Sequence, residues 1–312
     1  MAQFDVCVVG EINPDLILYG LPKHLQPERE SLIEGFRLTL GSSSAIFAHN
    51  LSVLGSRVGM VSKIGPDALG KMALDWLSSG GVDVKRVLHG TKTTATGLTV
   101  ILAHASERFI LTYPGAMFEL RFEDMDLDYI FSARHLHVSS YFLQKGLRPK
   151  MPDLFCEARK KGLTTSLDTN DDPEGVWGDD LREVLRHVDI FFPNEREAKQ
   201  IAKTDDLERA IAILSERAGM VVVKLGSQGA IARKGTSKWR CESIPVNAVD
   251  TVGAGDSFDA GFLHRYLKDA PVEECLKYGN LAGAYSTTRD GGTEAYRERD
   301  EMAKFFQKYG AS

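Results

Sequence analysis

The segment Asp250-Thr251-Val252-Gly253-Ala254-Gly255-Asp256 sets two glycines beside a carboxylate, a combination able to hold an anion and to move a proton. Gly253 and Gly255 permit backbone angles and close approaches that side chains would block, so consecutive N–H groups can converge on one anion. The apolar positions Phe258, Ala260, Gly261, Phe262 and Leu263 follow at helical spacing. A helix starting there adds unpaired donors and the positive end of its dipole. Asp256 then has two readings. Either it is a first-turn acid that stabilises the dipole and faces away, or it is a general base. In the second case it takes the proton from an attacking hydroxyl while the N–H groups stabilise a transferring phosphoryl group. The residues alone leave both open.

Other polar constellations carry similar pairs of readings. Asn13-Pro14-Asp15 makes an Asx-type turn or an acceptor-rich site for a polyol. Asn194 and Glu197 form a capping box, or offer hard oxygens that suit Mg²⁺ through water, and both can hold at once. Gly226-Ser227-Gln228-Gly229 lies between two strand-like runs, as a hairpin turn does. Arg108 reads first as a solvated strand arginine. Gly65-Pro66-Asp67-Ala68-Leu69-Gly70-Lys71 nearly spells a Walker A loop, but Met72 stands where Ser or Thr would bind Mg²⁺, and Pro66 lacks an N–H. His135 and His137 alternate along one strand without a third ligand nearby, which argues against zinc.

The elements that must position these groups follow from periodicity. Short β-branched runs at 5–9, 57–64, 98–102, 135–139, 164–168, 188–192 and 220–225 alternate with apolar helical patterns at 69–77, 150–161, 180–185, 195–201 and 206–218. That order predicts an α/β fold with a mainly parallel central sheet and helices on both faces. Helices alone are expected over 255–267, 272–288 and 298–309. The stretches 16–40 and 93–113 interrupt the alternation and are expected to pair as a small β-sheet lid over a site. With 312 residues, 43% hydrophobic and 26% charged, the chain reads as one large globular domain. A net charge of -5 gives no basic footprint for nucleic acid or an anionic membrane. Four scattered cysteines and an N-terminus without a leader pattern lead to the expectation of a reducing cytoplasm.

Asp250 to Gly261, read as Asp-Thr-x-Gly-Ala-Gly-Asp-x-Phe-x-x-Gly, resembles the C-terminal signature of the ribokinase-like carbohydrate kinases, the PfkB family. The resemblance implies the ribokinase-like three-layer fold and an ATP-dependent sugar kinase acting on a ketose, pentose or keto-sugar acid. A nucleoside kinase of the same family and a non-catalytic sensor are the alternatives. It makes Asp256 the catalytic base and Gly253, Ala254 and Gly255 the anion hole. It assigns ATP to Asn194, Lys224, Gly226, Ser227, Gly229, Thr251 and Asn280, and the sugar to Asn13, Asp15, Gly41, Ser42 and Ser43. Arg108 would meet an anionic substrate group, with Tyr113 lining the same pocket. Glu197 would serve Mg²⁺ through water. Asp250, with 286–291 nearby, is the candidate for a monovalent cation such as K⁺. Lid strands in relatives pair across a dimer, so a homodimer is expected. Two departures stand out: Ser42 replaces a second glycine of the N-terminal signature, and Ile46 replaces an Asn that holds sugar hydroxyls.

Overall fold

Alternation sets the first strand, Phe4–Val9 (β1): Cys7 and Val9 point to one apolar layer, Val6 and Val8 to another. The computed structural model describes residues 2–104 and 107–310. After β1 come β2 (Pro14–Tyr19), β3 (Gly35–Leu40), α1 (Ser43–Val53), β4 (Val58–Ile64), α2 (Ala68–Ser79) and β5 (Asp83–His89). Next are β6 (Leu98–His104), β7 (Glu107–Tyr113), α3 (Leu127–Phe131), β8 (Ala133–Val138), α4 (Met151–Lys160) and β9 (Thr164–Leu167). The chain continues through α5 (Leu181–Leu185), β10 (Ile190–Phe191), α6 (Glu195–Ala202), α7 (Leu207–Ser215) and β11 (Met220–Lys224). It ends with β12 (Ala230–Lys234), β13 (Ser237–Cys241), α8 (Ala254–Tyr266), α9 (Val272–Ser286), α10 (Glu294–Arg297) and α11 (Arg299–Gly310).

The main sheet runs β13-β12-β11-β10-β9-β8-β1-β4-β5. Its pairs are parallel from β11 to β5, and only the β11–β12–β13 edge is antiparallel. Phe155 of α4, Val184 of α5 and Ile211 of α7 cover one face; Phe47 of α1, Leu77 of α2, Phe262 of α8 and Leu276 of α9 cover the other. These are three layers, and each fully buried large side chain contributes about 1.5–3 kcal/mol. His135 and His137 are buried within the second layer. Each ring nitrogen meets a hydroxyl of Thr164, Ser166 or Ser139 at 2.7–2.8 Å. Burial holds both imidazoles neutral, His135 down to about 3.

A second, four-stranded sheet, ordered β3-β2-β6-β7, stands beside the carboxyl end of β1. It draws its strands from the two interrupting stretches, except that β2 starts at Pro14 and that Ala105 and Ser106 lie outside the described residues. The register places Asp15, Ile17, Thr39, Thr99, Ile101, Arg108, Ile110 and Thr112 on one face. Leu16, Leu18, Phe36, Leu38, Val100, Leu102, Phe109, Leu111 and Tyr113 fall on the other. The near-Walker stretch anchors this sheet. Asp67 caps α2 by accepting from Gly70 N at 2.9 Å, and its other oxygen accepts from Thr96 N, at the root of β6, at 2.7 Å.

Candidate active site

The glycine-rich turn closes onto α8 with Gly253 as its N-cap, at φ 72°, without a side chain to cap the helix. A Cβ on Gly253 would sit 2.6 Å from Gly292 Cα, so only glycine fits. Ala254 N turns back to Thr251 O at 3.3 Å, and the amides of Gly255 and Asp256 open onto the cavity as donors with a positive dipole behind them. Asp250 braces the turn: Oδ1 accepts from Val252 N and Oδ2 from Gly291 N, each at 3.0 Å. Ile46 packs against Gly253 and Gly292, which accounts for an apolar residue where a hydroxyl-binding Asn was expected.

Beneath the turn lies a buried charge cluster. Lys224, at the end of β11, places Nζ 2.7 Å from Asp168 Oδ2 and 3.1 Å from Asp259 Oδ2. Burial alone would push the ammonium down, yet Asp168, Asp259 and Glu197 together hold it well above its ordinary value. The same ammonium keeps Asp168 low against its burial, whereas burial drives Asp259 well up. Asn194 and Glu197 do form the capping box: Glu197 N donates to Asn194 Oδ1 at 2.9 Å and Asn194 N to Glu197 Oε2 at 2.8 Å. Burial and the neighbouring Asp168 raise Glu197 to about 7.

Asp256 faces this cavity and does not turn away from it. Burial first, then the charge of Asp168, raise it to about 7, opposed by Lys224 and by a hydrogen bond from Ser43. On the far wall Asn13 Nδ2 donates to Thr99 Oγ1 at 3.1 Å, and Asp15 is raised to about 8, by burial first and then by Asp256. Gly41 stands behind Asp15, where any Cβ would strike the carboxylate. Ser42 holds φ 63° in the missing glycine's place, and its hydroxyl donates to Glu11 O at 2.8 Å.

One cavity of about 950 Å³ gathers most of the expected residues: Asn13, Asp15, Ser42, Ser43, Arg108, Asn194, Glu197, Lys224, Gly226 and Thr251 to Asp256. Others stay off its wall. Ser227 and Gly229 complete the turn between β11 and β12, which pair antiparallel, so the hairpin reading holds there. Asn280 donates to the carbonyls of Cys241 and Glu242 at 3.1 Å. Asp250 lies behind the turn, with Arg108 Nη1 3.5 Å from its Oδ1. Tyr113, expected beside Arg108, points instead from the opposite face of β7 into a separate pocket of about 340 Å³. Sequence reasoning missed Glu11, Asp168 and Asp259. Glu11 is buried, accepting from Ser44 and Ser140 at 2.8 Å and from Gln144 at 2.6 Å. The available signal was an acid one residue after Gly10 and a second acid on the turn after Asp256.

With this geometry in hand, comparison with known proteins decides the family. The model of the pfkB family carbohydrate kinases matches residues 3–299. This chain belongs to that family. As a PfkB kinase it is a phosphotransferase. It is similar to an ATP-dependent ribose-1-phosphate kinase of Halopiger xanaduensis, 31% identical over 97% of this chain and 98% of the relative. A 2-dehydro-3-deoxygluconokinase of Bacillus subtilis is 30% identical over 88% of each. Among solved structures, one described as a ribokinase II of E. coli in complex with ATP and Mg²⁺ superposes with a TM-score of 0.86, at 25% identity, over 98% of this chain and 100% of that one.

Proposed function

We propose that this PfkB kinase transfers the γ-phosphoryl group of ATP to a hydroxyl of a small carbohydrate, a ketose, pentose or keto-sugar acid, with Asp256 as general base. One observation carries the reading: a raised carboxylate at the uncapped head of α8 shares a cavity with Asn13 and Asp15 on one side and Lys224 on the other. Asn13, Asp15, Ser42 and Ser43 hold the acceptor, with Gly41 backing Asp15. Its hydroxyl gives a proton to Asp256 and attacks the γ-phosphorus, while the amides of Gly253, Ala254 and Gly255 take up the developing charge. Lys224, Asn194, Gly226 and Thr251 border the ATP half, and Ser227, Gly229 and Asn280 support its outer rim. Six carboxylates and two cationic side chains line the cavity, so a triphosphate needs a counter-ion there. Glu197 offers a hard oxygen at the wall, and no His, Cys, Asp or Glu cluster among the described residues is arranged to cage a metal. That donor set fits Mg²⁺ held mainly by phosphates and water. Glu197 would hold such an ion through water, and the ion would offset the charge of the triphosphate during transfer. A monovalent cation such as K⁺ beside Asp250 belongs to the same proposal, as do a cytoplasmic setting and closure of the second sheet as a lid.

Asp256→Asn should lower kcat by about two to four orders of magnitude and leave ATP affinity nearly unchanged. Near-normal turnover of that variant on an accepted sugar would refute the base. A second reading, a nucleoside acceptor, draws on the apolar wall of Ile101, Ile110, Met117, Phe118 and Leu143, which suits a nucleobase. Mass spectrometry of sugar and nucleoside panels incubated with ATP separates the two.

A further inference from the structure

Asp250 sets the shape of the phosphate-binding turn, because its carboxylate joins Val252 N to Gly291 N and the loop of Gly291 is the one that packs on Gly253. The side chain approaching that carboxylate from outside the main body is Arg108, 3.5 Å away on β7 of the second sheet. On the same face of β7 stands Thr112, whose hydroxyl meets Thr99 at 3.2 Å, and Thr99 accepts from Asn13 beside Asp15. The sheet holds the Gly291 loop from its other edge too: Thr39 Oγ1 donates to Glu294 at 2.6 Å, and Arg37 lies 3.8–3.9 Å from Glu294 and Asp290. Acceptor-facing groups and the brace of the turn are thus fastened to one sheet.

We infer that Arg108 is a positioning residue: through Asp250 it ties the acceptor-bearing sheet to the phosphate-gripping turn, so the turn is fully set only when that sheet covers the cavity. This rests on the kinase reading for its consequence but not for its geometry. It differs from the expectation that Arg108 grips an anionic group of the substrate. The guanidinium already faces a carboxylate, and a pair whose arginine is 39% exposed to solvent adds little to stability. What it fixes is orientation, to which transfer rates are steeply sensitive. When the tie is lost, water competes for the phosphoryl group. The water oxygen bonds to the γ-phosphorus, the bond to the bridging oxygen of ADP breaks, and the proton goes to Asp256.

The test compares the unsubstituted enzyme with Arg108→Ala, Arg108→Lys and Asp250→Asn, following ADP and phosphorylated acceptor separately on a neutral sugar that the panel shows to be accepted. Arg108→Ala should cut acceptor phosphorylation about tenfold, keep its KM within about threefold, and at least double the ADP released per product formed. Arg108→Lys should restore part of the coupling. Asp250→Asn loses that link and, with an amide nitrogen in place of one acceptor oxygen, one of the two brace bonds as well, so it should cost more than Arg108→Ala, and adding Arg108→Ala to it should cost little further. A rise in KM confined to anionic sugars, with ADP and product still matched, would make Arg108 a substrate ligand and overturn the inference. Hydrogen exchange of the Val252 and Gly291 amides, both held by Asp250, supplies a readout that needs no acceptor. Their protection should fall about tenfold in Arg108→Ala if opening of the turn becomes that much easier. Unchanged exchange overturns the inference even if no acceptor is ever phosphorylated, whereas failure of every acceptor together with the expected loss of protection counts only against the kinase reading.

Discussion

Asp15 and Asp256 occupy opposite walls of one cavity and are held near 8 and near 7, Asp15 by burial and then by Asp256, Asp256 by burial and then by Asp168. Two consequences at different pH follow. As a base, Asp256 must be ionised, so kcat/KM for the acceptor should rise with pH through about 7 and level off above it, measured in the free-enzyme regime at low acceptor. Stability runs the other way. An unfolded Asp ionises near about 4, so between that value and the folded value the native state holds the extra proton. The stabilisation is complete below the unfolded value and is lost as pH rises through about 8 for Asp15. The unliganded protein should therefore melt at progressively lower temperature from pH 5 to pH 8, roughly the span between the two values. Asp15→Asn should flatten that slope, raise the Tm at neutral pH and abolish acceptor binding. An unchanged slope in calorimetry would show that Asp15 is not the titrating group.

The elements that hold these side chains were legible wherever one period ruled a segment. The central strands alternate between two apolar layers, and α8 shows its start through glycines followed by spaced aromatics. Other elements obeyed no single rule. β5 is an edge strand broken by Lys85 and Arg86, and a register shift interrupts its pairing with β4. α1 is buried nearly all round, so no polar face betrays it. β10 retains only two residues of the apolar run at 188–192. In the site, Asp168 and Asp259 escaped notice because what makes them matter is Lys224, 56 and 35 residues away in sequence. Each looks like an ordinary acid until the fold converges. The turn itself was fully legible, and its geometry makes a sharp demand. Gly253→Ala forces a Cβ into the left-handed region and against Gly292. It should cost about 1–2 kcal/mol from the backbone angle alone, more with the clash. Thermal unfolding checks this, and an unshifted Tm would mean the turn is softer than its packing implies.

At the scale of the whole molecule, the second sheet turns a mixed face, with Asp15, Thr99 and Arg108 set among isoleucines, to the cavity and an apolar face outward. Phe36 is 70% exposed, Phe109 54%, Leu111 58% and Tyr113 57%. A contiguous apolar face of that kind suits an association surface, and we propose that it carries the homodimer expected from the sequence. Sedimentation should give a dimer whose dissociation constant rises at least tenfold in Leu111→Lys; a wild-type monomer at micromolar concentration would end the proposal. The same sheet is also awkward to build. Its central pair is parallel, Asp15 beside Thr99, so the whole intervening chain must come to rest before the two strands can meet. Loop closure of that length is slow relative to local pairing. The polypeptide should accordingly complete this sheet only after the locally paired strands β11, β12 and β13 have met.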